Sequence, residues 1–173
     1  MAHNPQLAVS VFPAYRPLGL QKRIIGVKRD LMTQFTIFDP EVAYLTTDDK
    51  FINDIIALVR QGVSFEDFSK FASKSAFSFP EWSEFLHISE RTLQRYQKEQ
   101  KSFDSLQSEK IIEIALLQKR GVEVFGKKLK FQDWLETPCL ALGDLKPKSF
   151  MDSSFGITLL KDELTRIEHG VLA

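Results

Sequence analysis

SFPEWSEFLHISERTLQRYQK, residues 78–98, is the stretch that decides the fold. Ser78 and Ser89 each stand where an N-cap stands, because a serine oxygen there can accept a hydrogen bond from an amide that the first helical turn leaves exposed. The connection between the two segments, Leu86-His87-Ile88, is long enough only for a tight turn. The stretch therefore predicts two short helices joined as a helix-turn-helix.

The second of these helices carries a polar face that suits DNA. Ile88 and Leu93 occupy the two positions of a hydrophobic staple, which would set the angle at which the helix begins. The candidate DNA-binding residues are Arg91, Thr92, Gln94, Arg95 and Lys98. Their side chains have the chemistry to reach base edges and to neutralise phosphates, although such a face is also typical of a helix that is merely solvated. Glu90 and Glu99 weaken the local positive charge, so we expect a homodimer that offers two such helices.

Helical signals continue on both sides of this stretch. An apolar run begins after Asp48 and should end at Gly62, and a longer run should end at Gly126 as its C-cap. Sequences of the capping-box form begin at Ser64, Ser78 and Asp104. A short helix is expected around residues 131–135. The last helix should be capped by Asp152, Ser153 or Ser154 and stop at Gly170, with an apolar stripe at Ile157, Leu160, Leu164, Ile167 and Val171.

The predicted organisation is a helical bundle of the all-α class in three parts. Residues 1–47 contain four prolines, which exclude a long uninterrupted helix and indicate an irregular arm. The apolar residues of this arm could pack on the body of the protein or on a second copy. The helix-turn-helix domain should span residues 48–104, and a C-terminal helical domain should span residues 105–173.

Composition excludes several classes of protein. The 173 residues are 43% hydrophobic, enough for a packed core, and 23 basic residues balance 23 acidic ones, so no global positive field attracts nucleic acid. The single cysteine, Cys139, suits a reducing cytoplasm. No run approaches the roughly 20 apolar residues of a membrane span. Because neither Cys139 nor the three histidines, His3, His87 and His169, lie in a catalytic or metal-binding motif, we expect no catalytic residue, no metal and no cofactor.

Several separated motifs resemble the Xre/MbcA/ParS antitoxins. The recognition-helix segment is residues 88–95, and the motifs that follow it are Glu123-Val124-Phe125-Gly126, Trp134-Leu135, Ala141-Leu142-Gly143, Lys146-Pro147, residues 152–156 and residues 163–170. The resemblance covers about residues 60–173. It implies an Xre-like helix-turn-helix domain followed by a toxin-binding domain. It also implies a partner, a RES-domain toxin that degrades NAD, whose active-site entrance the C-terminal end covers, while the complex represses its own operon by binding operator DNA.

The resemblance assigns toxin-binding roles to Gly156, Glu163, Arg166, Glu168, His169, Gly170, Val171 and Leu172. Arg166 is the strongest of these candidates, although it could instead pair with Glu163 or Asp162 on its own helix. The apolar tail could be buried by a partner, fold back into the core, or fray.

Two glycines and one further function complete the sequence-based predictions. Gly143 beside Asp144 predicts a turn with positive φ. Gly156, near a helix start, indicates close approach of a backbone whose origin stays open. The alternative function is a stand-alone helix-turn-helix transcriptional regulator.

Overall fold

The computed structural model describes residues 49–170, so the predicted arm of residues 1–47 and the tail residues Val171 and Leu172 lie outside the described part. Within it the chain is all-α, as predicted, and the order of the elements follows the chain. The α-helices are α1 (Asp49–Gln61), α2 (Phe65–Lys74), α3 (Phe79–Phe85), α4 (Glu90–Glu99), α5 (Ser105–Phe125), α6 (Lys128–Glu136) and α7 (Ser154–Glu168). Two 3-10 helices, Leu140–Leu142 and Pro147–Phe150, occupy the connection between α6 and α7.

The helix starts are local, and the sequence predicted most of them. Ser78 and Asp104 form complete capping boxes with Glu81 and Gln107. Ser64 forms only half of one: its oxygen accepts from the amide of Asp67, but the Asp67 carboxylate accepts from the Ser64 hydroxyl instead of the backbone. Each cap satisfies an amide that the first turn cannot pair.

The helix ends at Gly62, Gly126 and Gly170 are confirmed as well. All three residues have positive φ, at 88°, 69° and 66°. Gly62 ends α1 and Gly126 is the C-cap of α5. Gly170 follows His169, the C-cap of α7. A left-handed residue ends a helix without a steric penalty when it is glycine.

An aromatic cluster holds α2, α3 and α4 together. The rings of Phe68 and Trp82 meet edge to face at 5.1 Å, and Phe68 meets Phe103 at 4.9 Å. Tyr96 of α4 reaches the same cluster through Phe103, 5.3 Å away. These edge-to-face contacts, worth about 1 kcal/mol each beyond simple burial, fix the helix-turn-helix against α2.

Helix α5 packs against α1, α6 and α7. Its residues Ile111, Ile114 and Leu117 are completely buried, as are Leu160 and Leu164 of α7. The apolar run of α1 is less covered: Ile52 and Ile56 stay 45% and 40% exposed, because only one side of α1 meets the described elements.

The connection after α6 turns back on itself. The amide of Cys139 donates to the carbonyl of Leu145 at 3.0 Å, and the amide of Asp144 donates to the carbonyl of Cys139. Gly143 and Asp144 both have positive φ, which confirms the predicted turn. Within residues 49–170 this isolated bridge is the only β-type pairing. No helix in that range is long and apolar enough to cross a bilayer.

Gly156 approaches a backbone of its own chain. A Cβ at this position would lie 1.9 Å from the carbonyl oxygen of Phe150, in the 3-10 helix that precedes α7. The Gly156 amide donates to Ser153, the N-cap of α7, at 3.0 Å. The glycine therefore lets the first turn of α7 sit directly on the preceding segment, which answers the question that the sequence left open.

We predict that Gly156→Ala lowers the free energy of unfolding by about 1–3 kcal/mol, because a rigid carbonyl must move to admit the new methyl group. Urea denaturation followed by circular dichroism measures the loss. Thr165→Ala, at an exposed position of the same helix, should stay within about 0.5 kcal/mol of the parent. Equal stability of the Gly156 variant and the parent would contradict the close approach.

Candidate functional site

Helix α4 is held so that one face is buried and the other is exposed. The Ser89 oxygen accepts from the Thr92 amide at 3.1 Å and caps the helix, as predicted. Leu93 is completely buried and Tyr96 is 9% exposed, so both turn toward the core. The opposite face is set by this packing, since residues three and four apart share one side of a helix.

The structure brings all five predicted DNA-binding residues to that exposed face. A shallow groove is lined by Ser89, Arg91, Thr92, Gln94, Arg95, Lys98 and Glu99. Within residues 49–170, Arg91, Arg95 and Lys98 form no ion pair with a carboxylate, Glu90 and Glu99 included. Their charges are thus available to phosphates or base edges.

The turn before α4 is tied to the start of α7. His87 adopts a left-handed conformation with φ 52°, and its Nε2 donates to the carbonyl of Asp152 at 2.8 Å. The two residues lie 65 positions apart in the sequence. The sequence contains no signal for this bond, because a left-handed histidine and its distant acceptor are decided only by packing.

Lys148 forms a second link across the protein. Its Nζ lies 2.5 Å from Glu81 Oε1 of α3 and also pairs with Glu136 at the end of α6. Burial alone would raise the pKa of Glu81, but hydrogen bonds from Lys148 and Ser78 outweigh it and hold that pKa below the ordinary value. The hydrogen bond from Lys148 likewise lowers the pKa of Glu136, against the effect of burial.

The pKa of Lys148 is likewise set by burial and by its two carboxylate partners, which act in opposite directions. Burial would lower its pKa, yet the two carboxylates raise the pKa above the ordinary value of 10.5. All three groups are therefore favoured in their charged forms at neutral pH. The arrangement is a three-centre ion pair that joins α3, the second 3-10 helix and α6.

We predict that Lys148→Met costs about 1 kcal/mol of stability at pH 7, at the upper end for a partly exposed ion pair. The pKa values of Glu81 and Glu136 are depressed below 4.5 in the folded state. Their contribution is therefore present above about pH 4.5 and is lost as the pH falls through the folded pKa values. The urea midpoint of Lys148→Met should therefore lie below that of the parent at neutral pH. The difference between the two midpoints should become smaller at acidic pH.

The matched control for this prediction is Lys146→Met. Lys146 also pairs with Glu136, at 3.4 Å, but its side chain is 53% exposed and, among the described carboxylates, it contacts that of Glu136 only. Lys146→Met should therefore lower the free energy of unfolding by less than Lys148→Met does, by under about 0.5 kcal/mol. A Lys148 deficit that is the same in acid as at neutral pH would contradict an electrostatic origin.

The predicted toxin-binding residues divide into buried and exposed ones on α7. Gly156 and Glu163 are buried, Glu163 at 5% exposure. Arg166, Glu168, His169 and Gly170 are exposed. Val171 and Leu172 lie beyond the described residues. The structure thus places four of the predicted residues on the accessible end of the helix and buries two others in the protein.

Ion pairs organise this end of α7. Arg166 Nη1 donates to the buried Glu163 Oε2 at 3.0 Å, so the pairing on its own helix that the sequence allowed does occur. Glu168 accepts two hydrogen bonds from Arg120 of α5, which lower the pKa of its carboxyl group against a small opposing effect of burial. Glu163 therefore orients Arg166, whose guanidinium still has further N–H donors.

One side of α7 forms an exposed stripe that the sequence reasoning missed in part. Its members recur at helical spacing and are Phe155, Thr158, Leu159, Asp162, Arg166 and His169. Phe155 is 91% exposed, and Leu159 is 36% exposed. The available signal was the spacing itself, since Phe155 and Leu159 lie out of phase with the apolar stripe that enters the core.

Residues 49–170 contain no group of three or more histidine, cysteine or acidic side chains that could hold a metal ion. The histidine of the helix-turn-helix is engaged with a backbone carbonyl, and His169 caps α7. The arrangement can bind a polyanion on α4 and a protein surface on α7.

Two family models match separate segments of the chain. Residues 54–116 match the antitoxin Xre-like helix-turn-helix domain, which contains α4. Residues 120–170 match the antitoxin Xre/MbcA/ParS C-terminal toxin-binding domain, which contains α7. Helix α5 runs without a break through the positions between the two matched segments.

One similar protein is the antitoxin Xre of Yersinia enterocolitica serotype O:8 / biotype 1B. It is 31% identical over 87 residues, which are 50% of this chain and 59% of the relative. The match thus spans less than two thirds of the length of that curated relative.

Proposed function

Since the chain belongs to the Xre/MbcA/ParS family of antitoxins, we propose that it binds and neutralises a RES-domain toxin that degrades NAD. The proposal is carried by one observation: the segment matched to a toxin-binding domain ends in a helix whose last turn exposes an oriented arginine, Arg166. The C-terminal region would cover the entrance to the toxin's active site. In this role the chain is a binding protein and not an enzyme, it needs no cofactor, and it acts in the cytoplasm.

The chemistry of the last turn of α7 supports a contact with another protein. Arg166 and His169 are exposed on the same side of the helix, and the helix stops at Gly170. Arginine is enriched in protein interfaces because its planar fork of donors can grip a carboxylate or several carbonyls. Of the residues that the resemblance implicates, Glu163 and Gly156 support the contact from inside, and Arg166 and His169 make it.

The helix-turn-helix would serve regulation. The open basic face of α4 supports binding to operator DNA, in which the helix enters the major groove. Because the net charge is zero, affinity would depend on two such helices, offered by a homodimer. The complex of this protein with its toxin would then repress its own operon.

The first experiment expresses the adjacent open reading frame alone and together with this protein. We expect growth arrest with loss of cellular NAD when the neighbour is expressed alone, and rescue of both by co-expression. A harmless neighbour with unchanged NAD would contradict the antitoxin proposal and favour a stand-alone transcriptional regulator, because the face of α4 would then be the remaining functional surface.

Arg166→Ala should weaken binding of the purified toxin on the order of 30-fold, as expected for removal of an interface anchor. The substitution also leaves the buried Glu163 without its partner, so we pair it with the double variant Arg166→Ala, Glu163→Gln. Both should lose affinity for the toxin to the same extent in titration calorimetry. Recovery of affinity in the double variant would show that the loss came from the unpaired carboxylate and not from a toxin contact.

Arg91→Ala with Arg95→Ala should weaken binding to the native promoter on the order of 100-fold in a gel shift, because each arginine contact to DNA contributes about 1–3 kcal/mol. The toxin complex should remain intact. Lys127→Ala with Lys130→Ala removes the same two charges from exposed positions around α6. Equal losses in both double variants would show a general charge effect and contradict α4 as the recognition helix.

A further inference from the structure

The exposed stripe of α7 begins with an unusually accessible aromatic side chain. Phe155 occupies the second position of the helix and is 91% exposed, more than any other large apolar residue in the described part of the chain. A phenylalanine left in water forgoes a large gain from burial, and accessible aromatic groups of this kind mark interaction sites.

The backbone beneath Phe155 is held in place. Ser153 caps the helix by accepting from the Gly156 amide, and Gly156 sits directly on the carbonyl of Phe150. On the neighbouring side, the Ser154 hydroxyl donates to Glu113 at 2.9 Å and accepts from Lys110 at 3.1 Å. The aromatic ring therefore projects from a rigid base, and a partner would not have to order that base on binding.

The stripe joins this ring to the arginine of the proposed toxin contact. Phe155, Leu159, Asp162 and Arg166 recur at spacings of four, three and four residues, so they lie on one side of α7. At a rise of 1.5 Å per residue, Phe155 and Arg166 stand about 16 Å apart along the helix. This length suits the contact of one helix with a protein surface.

The position of the stripe identifies its occupant. The whole stripe lies within the segment that matches a toxin-binding domain, and it is continuous with Arg166. We propose that Phe155 and Leu159 form the apolar anchor of the toxin interface, seated in an apolar depression of the toxin, with Arg166 on a carboxylate at the other end. This inference rests on the proposed function and extends the interface a full helix length away from the chain terminus.

The test measures the affinity of the full-length protein for the purified product of the adjacent reading frame by titration calorimetry. Phe155→Ala should weaken binding on the order of 30-fold, and Leu159→Ala on the order of fivefold. Leu129→Ala is the matched control: Leu129 is 72% exposed on α6, in the same matched segment, and its loss should change affinity less than twofold. Thermal melting should be unchanged in Phe155→Ala and Leu129→Ala, whose side chains are mostly exposed, and slightly lowered in Leu159→Ala, whose side chain is 36% exposed.

The outcomes separate this inference from the function on which it rests. Unchanged affinity of Phe155→Ala, beside tight binding by the parent, overturns the anchor and leaves the antitoxin proposal standing. No binding by the parent overturns both. Light scattering of the free protein tests whether the stripe binds a second copy of this chain instead. If the free protein is a dimer that Phe155→Ala converts to a monomer, and toxin affinity is unchanged, the stripe serves self-association and the inference is overturned.

Discussion

Burial of α5 is the constraint on which the rest of the structure depends. This helix is 21 residues long and has nine buried positions distributed around its axis, so it cannot stand at the surface as an ordinary amphipathic helix. It must be enclosed, and α1, α6 and α7 enclose it. Because the helix-turn-helix match ends on α5 and the toxin-binding match begins on it, the two functional segments share one core.

Because they share one core, the exposed faces of α4 and α7 are held at fixed positions relative to each other. The turn that precedes α4 bonds through His87 to Asp152, two residues before α7 begins. Lys148 connects α3 of the helix-turn-helix to α6 of the C-terminal segment. The proposed DNA-binding and toxin-binding helices are therefore positioned by the same short segment, residues 147–153. The turn that orients α4 is therefore joined to the start of α7 by a direct hydrogen bond.

Charge is used differently on the two surfaces. On α4 the basic side chains form no ion pairs with the described acidic residues, which leaves them for a polyanion. On α7 the two charged residues of the last helical turn, Arg166 and Glu168, each have a partner, since Glu163 holds Arg166 and Arg120 holds Glu168. A held arginine loses less freedom on binding than a mobile one, which suits recognition of a single protein surface. The buried Glu163, selected from the sequence as a contact, would under the proposed function act through its neighbour.

The sequence by itself determined the features that arise within a few residues of one another. Serine and aspartate caps, glycine stops, the turn at Gly143 and the exposed face of α4 could all be predicted, because each depends on hydrogen bonds or spacings inside one helical turn. The family motifs likewise predicted the order of the two domains. These motifs are read directly from the sequence, so recognising them does not require knowing how the helices pack together.

Tertiary structure alone decided which distant residues meet. Asp152 lies 65 positions from His87, and Glu168 lies 48 positions from Arg120. Packing also decided that the backbone on which Gly156 rests is that of Phe150. These outcomes depend on how helices pack around α5, and that packing is a sum of many small contacts for which no short sequence carries a signal.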